Sequence, residues 1–204
     1  MTHCRLYFLT IVLLGFTPVA FAYGSGFSIA AVGHQTDFNH DLDNATGYTL
    51  EARYQSVILP PNLLTGRASL GNRYIATAQY RDYSDGSVDR SRLSVGVGSI
   101  SAGVFRSGAM IRYLRYDHGI PQAMIAIEPM LGVRVGPVTV DSGVKLSVRK
   151  FDETRMYGGL VRGSLRVSQS ITLLVDGDVE VLTHDEGGGR FRMRTMGAGL
   201  RYTF

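Results

Sequence analysis

Side chains alternate apolar and polar with a period of two almost all the way from Tyr23 to Phe204, and this pattern restricts the fold more than any other feature of the chain. Successive side chains of a β-strand point to opposite faces, so the pattern describes strands with one apolar and one polar side. Between 124 and 135, Ile125, Ile127, Pro129, Leu131, Val133 and Val135 share one face, opposed by Met124, Ala126, Glu128, Met130, Gly132 and Arg134. Val138, Val140, Val144, Leu146 and Val148 likewise oppose Thr139, Asp141, Gly143, Lys145, Ser147 and Arg149. Tyr48, Leu50, Ala52 and Tyr54 oppose Thr49, Glu51, Arg53 and Gln55. Ile171, Leu173, Val175, Val179 and Val181 oppose Thr172, Asp176, Asp178 and Glu180. Ten strands are predicted, over 25–37, 46–58, 66–82, 89–100, 103–117, 122–135, 138–150, 156–167, 170–183 and 191–204.

A soluble sandwich would also alternate, with its charged faces toward water. A transmembrane barrel turns the apolar face to lipid and the polar face inward, and closure satisfies every backbone donor and acceptor. Strands of about 9–11 residues cross a bilayer when tilted, and these runs are long enough. The connections favour the barrel. Ser101-Ala102, Gly136-Pro137, Ser168-Gln169 and the longer Leu59–Thr65 segment fall on one side, and polar or glycine-rich segments at 38–45, 83–88, 118–121, 152–155 and 184–190 on the other. The fold expected is all-β: a single closed antiparallel transmembrane barrel of about ten strands. An eight-stranded barrel is the alternative, with two strands merging into loops around 59–72.

The first residues read as a secretory signal. Arg5 is followed by the apolar run Leu6–Phe16, and Ala20-Phe21-Ala22 is a small-x-small cleavage pattern, so 1–22 is expected to be removed and 23–204 to form the barrel. The apolar run is too short to span comfortably as an anchor. The only cysteine, Cys4, lies inside this signal, which excludes a disulfide framework or thiolate metal site from the mature chain. No long apolar run follows it, so a helical membrane protein is not expected. The arginine excess meets no recognisable nucleic-acid module, and no nucleic-acid partner is expected of an exported chain.

The last residues are Gly199-Leu200-Arg201-Tyr202-Thr203-Phe204. A terminal aromatic, an aromatic two residues earlier and a glycine five before the end resemble the C-terminal assembly signal of bacterial outer-membrane proteins, carried here by Phe204, Tyr202 and Gly199; Gly197 replaces the polar residue usual before the glycine. Together with the signal and the alternation, this ending resembles the small Gram-negative outer-membrane barrels of the OmpA/OmpX type. The resemblance implies location in the bacterial outer membrane. It also implies contact with outer-membrane lipid and lipopolysaccharide, and passage through the assembly machinery. Nothing in the sequence bears on oligomeric state.

The predicted inward face is densely charged. Its acids are Glu51, Glu128, Asp141, Asp176, Asp178 and Glu180; its bases are Arg53, Arg81, Arg92, Arg106, Arg112, Arg134, Lys145, Arg149, Arg162, Arg166 and Arg201. Buried charges must be paired or solvated, so one reading is a network of arginine–carboxylate forks filling a narrow lumen. The other is a narrow, porin-like, anion-preferring pore, since bases outnumber acids; open porins, however, have 16 or more strands.

Outer-membrane enzymes place a histidine or an acid–base pair at the outer rim. Asp117-His118, His184-Asp185, His34 and His40 are the candidates, with His34 and Asp185 brought near each other on closure. Neighbouring residues on a strand face apart, so neither Asp-His dipeptide is a dyad, and no nucleophile motif accompanies them. Hydrophilic loop residues are the simpler reading, and no catalytic residue is assigned. Asp37, Asp41 and Asp43 lack EF-hand spacing; no metal site and no cofactor is expected. Arg155, Arg190, Arg192 and Arg194 fall near the outer rim, where lipopolysaccharide phosphates lie. The leading expectation is a non-enzymatic barrel with a charged, largely filled lumen and a structural or surface-interaction role. A small-solute pore and a rim-sited lipid A- or peptide-directed hydrolase are the alternatives.

Overall fold

A computed structural model describes residues 26–38, 45–56, 72–84, 89–117, 121–150, 154–184 and 190–204. The expected signal peptide, with its cleavage site, lies outside them, as do His40, Asp41, Asp43, His118 and Asp185. Ten strands follow one another: β1 (Gly26–Phe38), β2 (Ala45–Gln55), β3 (Asn72–Ser84), β4 (Asp89–Ser101), β5 (Phe105–Asp117), β6 (Pro121–Val135), β7 (Val138–Lys150), β8 (Thr154–Arg166), β9 (Ile171–His184) and β10 (Arg190–Thr203). Each pairs antiparallel with its sequence neighbours, and β1 pairs with β10 from Ser28↔Thr203 to Phe38↔Met193, which closes the barrel. Ten strands, not eight, are therefore present. The third strand, β3 (Asn72–Ser84), runs two residues past its expected end at 82, and the part expected over 66–71 lies outside the described residues. Ser56, expected inside the second strand, follows its end.

Strand length matches a bilayer. The strands run from 11 residues in β2 to 15 in β6. Thirteen residues rising about 3.3 Å each, tilted by about 40°, project to roughly 33 Å, close to the ~30 Å hydrocarbon thickness. Gly136 and Pro137 join β6 to β7 with Val135 opposite Val138. This two-residue turn needs a positive φ at its first position, and Gly136 supplies φ 57°. Gly199 has a different duty: a Cβ there would overlap the Ala31 carbonyl and the Val32 Cα, so the β1–β10 seam closes only around a bare backbone.

The exterior is inverted relative to a water-soluble protein. Val97, Ile111, Leu131, Val144, Val161 and Val175 stand outward, each at least half exposed. Tyr48, Tyr80, Tyr113 and Tyr157 ring the loop end of this belt, and Tyr74, Phe105, Tyr202 and Phe204 the turn end. Aromatic girdles bounding an aliphatic belt are the lipid-facing surface of a transmembrane barrel. The inward positions include Glu51, Arg81, Arg92, Glu128, Lys145 and Asp178, all six buried.

Candidate functional site: the lumen

Three layers fill the described interior. In the middle, charged groups from opposite walls meet. Lys145 Nζ on β7 donates to Asp178 Oδ1 at 2.7 Å and Glu180 Oε1 at 2.6 Å, both on β9. Arg81 on β3 donates through Nη1 to Asp178 Oδ2 at 3.1 Å and through Nε to Thr49 Oγ1 at 3.0 Å. Arg92 on β4 donates to Glu180 and lies 3.6 Å from Asp178. Tyr116 Oη on β5 completes this knot, donating to Glu180 Oε2 at 3.0 Å. β4 and β9 are five places apart round the barrel in either direction, so the Arg92–Glu180 pair crosses its full width.

A second knot gathers on Glu51 of β2. It accepts from Arg162 Nη1 at 2.8 Å, Arg201 Nη2 at 2.7 Å and Gln79 Nε2 at 2.5 Å, while Arg162 Nη2 also reaches Asp176 Oδ2 at 3.3 Å. Arg112 and Glu128 form a separate pair at 2.6 Å, with Arg112 Nη1 donating also to Thr77 Oγ1 at 3.1 Å. These pairs are strong because both partners are charged and largely screened from water. Carboxylates and guanidiniums that would each be costly alone compensate one another, and the network stands where a water-soluble barrel has its apolar core.

The loop end of the lumen is apolar, which alternation alone did not foretell. Phe38, Tyr83, Leu114, Tyr116, Met124, Met156, Leu182 and Met193 form one buried cluster, with Phe191 packed against it. Phe38 stacks on Phe191 at 5.6 Å between centroids and meets Tyr83 edge-on at 5.9 Å. The Arg90 guanidinium covers Phe38 and Phe191 at 5.0 and 5.8 Å, a cation–π lid on the plug. These residues share the parity of the inward charges (Tyr83 with Arg81, Leu182 with Glu180, Tyr116 with Arg112), and that parity is the signal by which they could have been found.

Below the network the turn-end interior is basic. Arg53, Arg106, Arg134, Arg166 and Arg201 lie here with Arg73, an inward residue absent from the charges expected from the sequence. Arg106 Nε lies 2.9 Å from Asp141 Oδ1, and Arg134 Nε donates to Thr139 Oγ1 at 3.3 Å. A small apolar group, Ile75, Ile100, Met110 and Met130, lines one wall above it. The cavity remaining inside the charged network is about 70 Å³, room for a few waters at ~10–15 Å³ each.

Among the candidate catalytic residues, the described side chains His34, Asp37 and Asp117 do not come together. His34 is enclosed in the lumen rather than placed at the rim, its ring 5.4 Å from Tyr83 and its Nδ1 3.4 Å from Thr36 Oγ1. Its proposed partner Asp185 lies outside the described residues. Asp37 and Asp117 are exposed, and no group of three or more His, Cys, Asp or Glu that could hold a metal occurs among the described residues. At the other end, Tyr202 and Phe204 point outward with rings 5.0 Å apart, and the Phe204 amide donates to the Phe27 carbonyl at 3.0 Å. Arg155, Arg190, Arg192 and Arg194 are exposed near the loop end.

The chain matches no protein-family model and no curated protein. Among solved structures it is similar to Neisserial surface protein A, at 16% identity over 89% of this chain and 97% of that one, TM-score 0.42. It is similar to the translocator domain of the autotransporter NalP from Neisseria meningitidis, at 12% identity over 98% and 96%, TM-score 0.45. A third is Ail, the attachment invasion locus protein of Yersinia pestis, at 12% identity over 88% and 97%, TM-score 0.32. The similarity is remote in each case.

Proposed function

We infer that the chain is an integral barrel of the bacterial outer membrane with a sealed lumen, and that its role is structural or at the cell surface rather than catalytic or solute-conducting. The observation that carries this reading is the pair of closures in series: ion pairs joining opposite walls, and an apolar plug above them. A solute moving through would have to part both, and little open volume lies between the ion pairs. In this reading 1–22 directs export, and Gly199, Tyr202 and Phe204 are presented to the assembly machinery. The outward arginines Arg155, Arg190, Arg192 and Arg194 meet lipopolysaccharide phosphates.

Deleting the gene and complementing it tests the role. Sensitivity to detergent and bile salts should rise on deletion and return to normal with the wild-type chain, while uptake of small anions stays unchanged. A fall in anion uptake without a loss of envelope integrity would favour the pore instead.

A further inference from the structure

Among the described residues the lumen is sealed at the loop end and open at the turn end, and the open end is unevenly charged. A cavity of about 460 Å³ there is lined by Arg53, Arg73, Arg106, Arg134, Arg166 and Arg201, with Asp141 the single carboxylate among the described lining residues. Two of the six arginines have acidic partners, Asp141 for Arg106 and Glu51 for Arg201. Arg53, Arg73, Arg134 and Arg166 make no ion pair among the described residues, and the Nε atoms of Arg53 and Arg73 are shut off from solvent without a hydrogen-bond partner. Their charged surroundings are mostly of like sign: Arg134 and Arg166 act on Arg73, and Arg201, Arg162 and Arg106 act on Arg53, with Glu51 the one opposing charge.

A structural network explains paired charges, but not these. Four guanidiniums on β2, β3, β6 and β8 converge on one mouth, and their mutual repulsion stabilises nothing in the barrel itself. Each guanidinium presents a planar fork that fits two oxygens of a phosphate-like group, and several forks round one cavity suit a ligand with several such oxygens. The volume admits a small solute, and the layer above gives it no way through. The cavity lies inside the barrel wall, away from the lipid-facing belt, so its ligand comes from solution at the turn end.

We propose that the turn-end mouth is a blind binding site for a small, soluble, multivalent oxyanion of the phosphate class, held by Arg53, Arg73, Arg134 and Arg166. Asp141 limits its affinity, because among the described lining residues it is the one that repels an anion, and it engages Arg106.

Calorimetric titration of inorganic pyrophosphate into the folded full-length barrel, in uncharged detergent at low salt, tests this. One saturable site is expected, weakening as added salt screens the open mouth. Arg73→Gln combined with Arg134→Gln should weaken binding at least tenfold. Neither residue belongs to the ion-paired network, and heat-dependent gel mobility verifies folding. Asp141→Asn should tighten binding several-fold, a gain that a damaged fold does not produce. Absence of saturable binding, equal affinity in the double variant, or weaker binding by Asp141→Asn would each overturn the site. A silent titration would leave the sealed lumen standing, since that reading is tested by conductance.

Discussion

Neutralising Glu51 should cost more than its single charge implies. The carboxylate is 3% exposed and holds Arg162 and Arg201 at 2.8 and 2.7 Å. In Glu51→Gln, Arg162 keeps Asp176, whereas Arg201 loses its one ion-pair partner among the described residues and faces Arg162 and Arg53, with the more distant Asp176 as an opposing charge. Each charge pair is worth about 4 kcal/mol of attraction at an effective dielectric near 20. The amide still accepts one hydrogen bond, and Arg201 can turn toward the water of the open mouth, so the net loss is set at about 3–5 kcal/mol, the range for a buried pair broken on one side. The chain has no tryptophan, so urea unfolding in lipid vesicles is best followed by the heat-modifiable gel band. The midpoint should fall with an unchanged slope. Adding Arg201→Gln should restore part of the loss, because it removes the stranded charge. The same change at Asp141, whose side chain is 20% exposed at the open mouth, should cost about 1 kcal/mol. A loss below about 1 kcal/mol for Glu51→Gln, or equal losses at the two sites, would show that lumen water rather than pairing carries these charges.

Other parts of the barrel can be tested in the same assay. Gly199→Ala should prevent or strongly slow formation of the compact gel band, at a cost of about 1–3 kcal/mol or more, because its Cβ meets the backbone of β1; Gly33→Ala, with open space at its Cβ, should not. Val144→Arg, on the lipid-facing belt, should cost about 2–4 kcal/mol in vesicles. Phe38→Ala removes a ring from the plug and should cost about 3 kcal/mol; Phe38→Ala with Phe191→Ala should admit water to the loop end, detectable as faster amide exchange at Tyr116 and Leu182.

Period-2 alternation made the strands, the lipid-facing side and the inward side of Glu51, Arg92 and Asp178 legible before any coordinates, because a strand fixes side-chain direction residue by residue. Who pairs with whom was not legible. Arg92 and Glu180 are 88 positions apart, and their meeting depends on strand number and stagger, which only closure determines. The plug was hidden for another reason. Phe38, Tyr83, Met156 and Met193 are apolar, and apolar meant lipid-facing in a pattern that sorts residues only by polarity; their parity placed them inside. The placement of His34 at the rim failed similarly: it is near a loop in sequence, yet its parity sends it into the barrel.

Planar-bilayer recording of the purified, folded barrel reaches the sealed lumen most directly. With plug and ion-pair network intact, no stable unitary conductance should be seen across the voltage range the bilayer tolerates. Reproducible, anion-selective steps from the wild-type protein would mean that ions pass the Arg92–Glu180 layer, and the lumen would then be a pore.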